Sequence, residues 1–164
     1  MMCAMKFRHE IVYDAPAHDV WAMLADPAFR QKSCEAMRVV SANISVDPDG
    51  DGMRVRIEQV QRTDGIPSFA KKFAGDTTEA IQVEEWSDPR SATMTVTTPG
   101  KPTRITGTLS LDEDGARTVE TFDGEVKVSV PLIGGKLEGL MADLFRKGMD
   151  KEHSAGVAWL AGER

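Results

Sequence analysis

Phe7, His9, Ile11 and Tyr13 alternate with Lys6, Arg8 and Glu10. That period of two predicts a half-buried strand over Met5 to Tyr13. Asp14-Ala-Pro16 ends it, and Val20, Trp21 and Leu24 predict a short helix with Pro16 at its start. Asp26-Pro27 breaks that helix and caps a second one over Phe29 to Met37. Alternation resumes in Val40, Ala42, Ile44 and Val46, then in Met53, Val55 and Ile57 beyond the Pro48–Gly52 turn. Thr63 to Asp76 is irregular, with a helical turn at Phe69 to Phe73. Thr78 to Trp86 predicts a strand with Ile81 and Val83 on one face. Ala92, Met94 and Val96 predict the next, Ile105 to Leu111 another, and Arg117 to Val130 the last, with Phe122, Val126, Val128 and Val130 on one face. Turn signals recur about every dozen residues, which predicts an antiparallel meander of about seven strands.

The period then changes to 3.6. From Pro131 to Leu160, the residues Ile133, Leu137, Leu140, Met141, Leu144, Phe145, Gly148, Ala155 and Trp159 fall on one broad arc. Asp143, Arg146, Lys147, Asp150 and Ser154 fall opposite. Such a helix is about 42 Å long, enough to cross a whole sheet, and a curved sheet is its natural partner. Gly148 on the inner arc has two readings: close helix–sheet packing, or room for a ligand.

At 164 residues with 41% hydrophobic and 28% charged content, the chain is expected to form one domain spanning 1–164 that needs neither disulfide nor metal to fold. Twenty basic against 26 acidic residues leave a net charge of −6. With no basic cluster beyond Lys71-Lys72, this argues against a nucleic-acid or anionic-lipid footprint. Cys3 and Cys34 have no paired spacing. The chain shows neither the apolar run of a signal peptide nor 18 consecutive apolar residues, so cytoplasmic residence is expected. No pattern sets an oligomeric state.

Asp47, Asp49, Asp51, Gly52 and Glu58 fit the calcium-loop spacing. That loop needs a helix on both sides, whereas these flanks alternate with period two, so the stretch reads as an acidic hairpin turn. Gly134-Gly135-Lys136 lacks the spacing of a phosphate loop and reads as a strand-to-helix turn. His9, His18 and His153 have no metal-ligand spacing, no GxSxG occurs, and no cofactor motif is present. His9, on the face of Phe7 and Ile11, reads as a hydrogen-bonded core histidine, or as a polar group that orients a ligand or moves a proton. Glu138 and Glu152 flank the arc about 21 Å apart, too far to act as a pair, and are expected to meet strand cations or water. Nine methionines suit core filling or an adaptable binding wall.

The element order, with Val128-Ser-Val-Pro-Leu-Ile-Gly-Gly-Lys-Leu-Glu138 joining last strand to helix, Trp159-Leu160 near its end, Ile66-Pro67-Ser68-Phe69 and Glu85-Trp86, resembles the START-like superfamily. That superfamily includes lipid-transfer domains, birch-pollen-allergen-like proteins and polyketide cyclases, and within it the chain resembles an uncharacterised bacterial family. The resemblance implies the helix-grip α+β fold: a curved antiparallel sheet wrapped around the C-terminal helix, two short helices between strands one and two, and a cavity between sheet and helix. It carries over no catalytic residue and no cofactor. The expected cavity wall is Phe7, His9, Ile57, Met94, Leu137, Met141 and Phe145, and the expected partner is a small hydrophobic molecule. With no pair of groups poised for chemistry, binding ranks above a cyclase- or dehydratase-like activity and above a partner-binding module with a filled core.

Overall fold

The computed structural model describes residues 4–164, so Cys3 lies outside the described residues. The chain runs β1 (Met5–Tyr13), α1 (Ala17–Leu24), α2 (Pro27–Ala36), β2 (Ser41–Asp49), β3 (Gly52–Arg62), α3 (Ser68–Ala74), β4 (Thr77–Asp88), β5 (Ser91–Thr97), β6 (Thr103–Asp114), β7 (Arg117–Val128) and α4 (Gly134–Leu160). The seven strands form one antiparallel sheet in the order β1-β7-β6-β5-β4-β3-β2. The first strand therefore lies beside the last, with Met5 opposite Val126 and Tyr13 opposite Thr118. This is the helix-grip fold, with α4 lying across the sheet's concave side.

Local chemistry explains the element boundaries. Asp26 caps α2 by accepting the Ala28 N–H at 2.9 Å, and Pro27 supplies the first helical φ. Gly50 at φ +59° turns β2 into β3, with Asp49 opposite Gly52. The calcium-like stretch is therefore a hairpin: Glu58 lies within β3 opposite Asn43 and pairs with Arg56 at 2.8 Å. The Val128 N–H, at the end of β7, donates to Glu138 Oε2 at 2.8 Å. Glu138 thus ties the last strand to the first turns of α4 and is buried, where a solvated or salt-bridged role was expected.

The core has a dense aromatic end. Phe29 on α2 meets Trp159 on α4 at 5.7 Å between ring centroids, and Trp21 on α1 meets Trp86 on β4 at 5.3 Å. Gly156 lets α4 lie directly on the Tyr13 ring; a Cβ there would come within 2.6 Å of it. Across the middle of the sheet Gly107 and Gly124 face each other, and the Phe122 ring lies over both. Phe122 packs in turn on Phe7 at 5.1 Å and Phe145 at 4.5 Å.

One strand overturns the reading of hydrophobicity. On β4 the face carrying Ile81 and Val83 is the outer one. Ala80, Glu84 and Trp86 are buried inside, with Gln82 beside them. The reason is Arg30, whose guanidinium makes a charged strand position tolerable in the core.

Candidate functional site

Between α4 and the sheet lies an open cavity of about 1090 Å³. Leu137, Leu140, Met141 and Phe145 wall it from the helix, and Met94, Val96 and Ile105 from the sheet. α3 contributes Ala70 and Phe73, and the end of α2 contributes Ala36 and Met37. Gly148 is on the wall, and a Cβ there would meet only the Met37 sulfur, at 3.4 Å. Of its two readings, the structure gives the spacious one; close packing belongs to Gly156.

Four of the seven expected wall residues, Met94, Leu137, Met141 and Phe145, are gathered around this cavity. Phe7, His9 and Ile57 are not on its wall. Phe7 is sealed under Phe122 and Phe145, which fill the space beside β1. Ile57 is buried in the core cluster on β3. His9 faces the right side of the sheet, but β1 is an edge strand. There its Nε2 lies 2.7 Å from Asp150 Oδ1 on the outer flank of α4, with the His9 side chain 21% and the Asp150 side chain 62% exposed. His9 is thus a mostly buried, hydrogen-bonded histidine that lies off the cavity wall.

Next to the cavity, around a separate small void, lies a set of charges that periodicity did not bring together. Arg30 from α2 and Glu84 from β4 form a two-pronged ion pair, Nη1 and Nη2 each 2.9 Å from a carboxylate oxygen, with the two side chains 3% and 2% exposed. Arg30 Nε donates to the Leu24 carbonyl at 2.7 Å, anchoring the pair to the end of α1. Glu84 also accepts from Trp86 Nε1 at 2.8 Å and Gln82 Nε2 at 2.6 Å. Burial opposes ionisation of Glu84, but Arg30 and these donors outweigh it and hold the carboxyl below the usual range. Burial likewise works against the Arg30 charge, and Glu84 more than restores it.

Glu120 on β7 and Glu152 on α4 stand on the other side of the same group. Glu120 is 3% exposed and its Oε1 has no hydrogen-bond partner. Burial raises it well above the carboxylate range, Glu152 and Glu84 add to the rise, and Arg30 opposes it. Glu152 is half-buried on the cavity wall. Burial pushes its carboxyl up to about 7, with Arg30 pulling down and Glu84 pushing up. A small void of about 20 Å³ lies among Arg30, Glu84, Glu120 and Glu152. It shares Gln82, Met94, Phe145, Met149 and Glu152 with the large cavity.

Glu152 therefore meets no strand cation; it is half-buried on the cavity wall with Arg30 of α2 and the carboxyls of Glu84 and Glu120 around it. Its carboxyl partner is Glu120 on a strand, not Glu138 on its own helix. The signal was present: Glu152 lies seven residues after Phe145 and four after Gly148, which puts it on the inner arc. Glu84 and Glu120 similarly share strand parity with Trp86 and Phe122.

Fold and site define a helix-grip protein with a START-like architecture. By its family model, matched over residues 8–160, the chain belongs to the family described as protein of unknown function DUF2505. No curated protein matches it. Its fold is similar to TTHA0849 from Thermus thermophilus, with 18% identity, TM-score 0.66, and 96% of this chain and 99% of that one covered. It is similar to a START superfamily protein from Mycobacterium smegmatis, with 14% identity, TM-score 0.60 and coverage of 94% and 98%. It is also similar to the di-domain ARO/CYC BexL from the BE-7585A biosynthetic pathway, with 18% identity, TM-score 0.55 and coverage of 94% of this chain and 49% of that one. At these identities the likeness is one of fold. No helix among the described residues is long and apolar enough to cross a membrane.

Proposed function

We propose that the cavity under α4 binds or carries a small hydrophobic molecule, lipid-like or polyketide-like. The observation that carries this reading is the cavity itself: about 1090 Å³, open to the surface and walled by Leu137, Leu140, Met141, Phe145, Met94 and Ile105. Ligand sites are concave, largely apolar and typically several hundred to 1,000 Å³, with a few polar groups that orient the occupant. A partner-binding module would have its interior filled instead. Native mass spectrometry of the protein purified from its own host tests the proposal. The expected result is a co-purifying apolar molecule that organic extraction removes. A mass equal to the bare chain in every preparation, with no displacement of an environment-sensitive apolar dye by lipids or polyketides, would overturn it.

One observation favours a second reading, a cyclase- or dehydratase-like enzyme on a polyketide-type substrate. Glu152 is on the cavity wall and its carboxyl, near 7, can both give and take a proton at neutral pH. In that case a poly-β-ketone thioester mimic should yield cyclised or dehydrated product with the native protein and none with Glu152→Gln. Unchanged substrate with both proteins would remove the reading.

A further inference from the structure

Among the buried carboxylates, hydrogen-bond donors are distributed very unevenly. Glu84 takes four: both terminal nitrogens of Arg30, the Trp86 indole and the Gln82 amide. The remaining Arg30 nitrogen is committed to Leu24. Among the described side chains, none donates to Glu120 or Glu152. Glu120 Oε1 is an unpartnered oxygen in a residue 97% enclosed, and it borders the 20 Å³ void. Arg30 and Glu84 together are neutral, so the Glu120–Glu152 side of the cluster lacks positive charge, and the buried Tyr13 hydroxyl near it makes no hydrogen bond to either carboxyl.

A buried polar atom without a partner is costly, and a second carboxylate beside it raises that cost. A counterpart that brings N–H donors and a positive charge would satisfy the unpartnered oxygen and favour the ionised form of both carboxyl groups, within a space of about 20 Å³. A void that size accommodates a water-sized group, and a primary ammonium is one. The void and the apolar cavity have Met94, Phe145 and Met149 in common as wall residues, so a hydrocarbon chain attached to a group in the void would lie beside these apolar side chains. We propose that Glu120 and Glu152 form a cation subsite next to the cavity, which takes the protonated primary amine of an otherwise apolar ligand. This rests on the ligand-binding reading above and adds the chemical class of the ligand.

The groups facing Glu152 come from every packed element: Tyr13 on β1, Arg30 and Cys34 on α2, Glu84 on β4 and Glu120 on β7. Arg30 is the only cation among them, and it is held by Glu84. When the amine arrives as its ammonium, both carboxyl groups ionise and their protons leave to solvent. Affinity for the amine therefore rises with pH through the range where Glu152 titrates. The mouth has the opposite sign: Arg38, Arg62, Lys101, Lys147 and Lys151 line it against Glu35 and Asp64. A fatty acid would be held the other way round, with its carboxylate at the mouth and no dependence on Glu152.

The test is calorimetric titration of the full chain with dodecylamine, dodecanol and dodecanoate, each below micelle formation. The amine should bind about tenfold or more tighter than the alcohol at about pH 8, and that preference should shrink at about pH 6. Glu152→Gln should abolish the preference of the amine over dodecanol, so that the two bind within about twofold of each other. That variant removes a like-charge repulsion, so it is expected to fold. If dodecanoate binds tightest, or if the amine and the alcohol bind equally and Glu152→Gln changes neither, the cation subsite is overturned while the apolar-carrier reading stands. If none of the three binds, both readings fall.

Discussion

Under the C-terminal part of α4 the space between helix and sheet is filled, and under the N-terminal part it is hollow. At the filled end Gly156 rests on Tyr13, Trp159 on Phe29, and Trp21 on Trp86. At the hollow end Leu137, Met141 and Phe145 look into about 1090 Å³ of open space, and the wall glycine Gly148 has only Met37 near it. Two glycines eight residues apart on one helix thus do opposite things. The carboxylates where the ends meet repeat the contrast. Glu84, on the side of the aromatic packing, has every oxygen satisfied by Arg30, Trp86 and Gln82. Glu152, on the cavity side, has no side-chain donor and a carboxyl near 7. The sheet closes on α4 at the aromatic end and stays open beneath Leu137, Met141 and Phe145.

The strongest way to break this contrast is at Arg30. Arg30→Met leaves Glu84 buried without its cation and should cost about 3–5 kcal/mol, measured by urea denaturation. Adding Glu84→Leu to the same chain should recover most of that loss, because the unpaired charge goes with it. A loss under about 1 kcal/mol for the single variant would mean that the pair does not hold the filled end together.

Glu152→Gln probes the other side of the contrast and should stabilise. Between about 4.5 and about 7 the unfolded chain has released the proton that folded Glu152 still holds, so stability falls as pH rises through that window and levels off above it. The variant should be more stable by roughly 1–3 kcal/mol above the window and equal to the native protein below it. Glu84 responds with the opposite sign. Its contribution is present above the ordinary carboxylate range and is lost as pH falls below about 4.5. Thermal melts from acid to mildly alkaline pH should separate the two. A Glu152→Gln curve parallel to that of the native protein would contradict the assignment.

The glycines give the smaller effects. Gly156→Ala drives a methyl to 2.6 Å from the Tyr13 ring, inside a packed region, and should cost about 1–3 kcal/mol. Gly139→Ala meets nothing within 4 Å and should gain up to about 1 kcal/mol from helix propensity alone. Opposite signs from the same substitution, read as shifts in melting temperature, would sharpen the division between the filled and hollow ends. Equal signs would erase it.

Much of the architecture was legible in the chain because each element advertises its own period. The alternation in Met53, Val55 and Ile57, the switch to 3.6 at Ile133, and the turn at Gly50 are local facts about neighbouring residues. Met94, Leu137, Met141 and Phe145 followed from parity and arc in the same way. Phe7 and Ile57 have the correct inward parity as well, yet both are buried away from the cavity wall. Parity says which face a residue occupies and nothing about how far along the strand the hollow extends.

The sequence by itself determined the strands, the long helix, their amphipathic faces and, through family resemblance, the helix-grip arrangement. These depend on periodicities of two and 3.6 that are written in consecutive residues. That Arg30, Glu84, Glu120 and Glu152 border one small void follows from the packing of helix on sheet and from nothing local. The four come from α2, β4, β7 and α4, between 30 and 152 in the chain. Parity and arc put Glu84, Glu120 and Glu152 on inward faces one at a time, without placing them beside one another or beside Arg30. Their meaning as a group depends on distance and burial, which arise when helix and sheet close on each other.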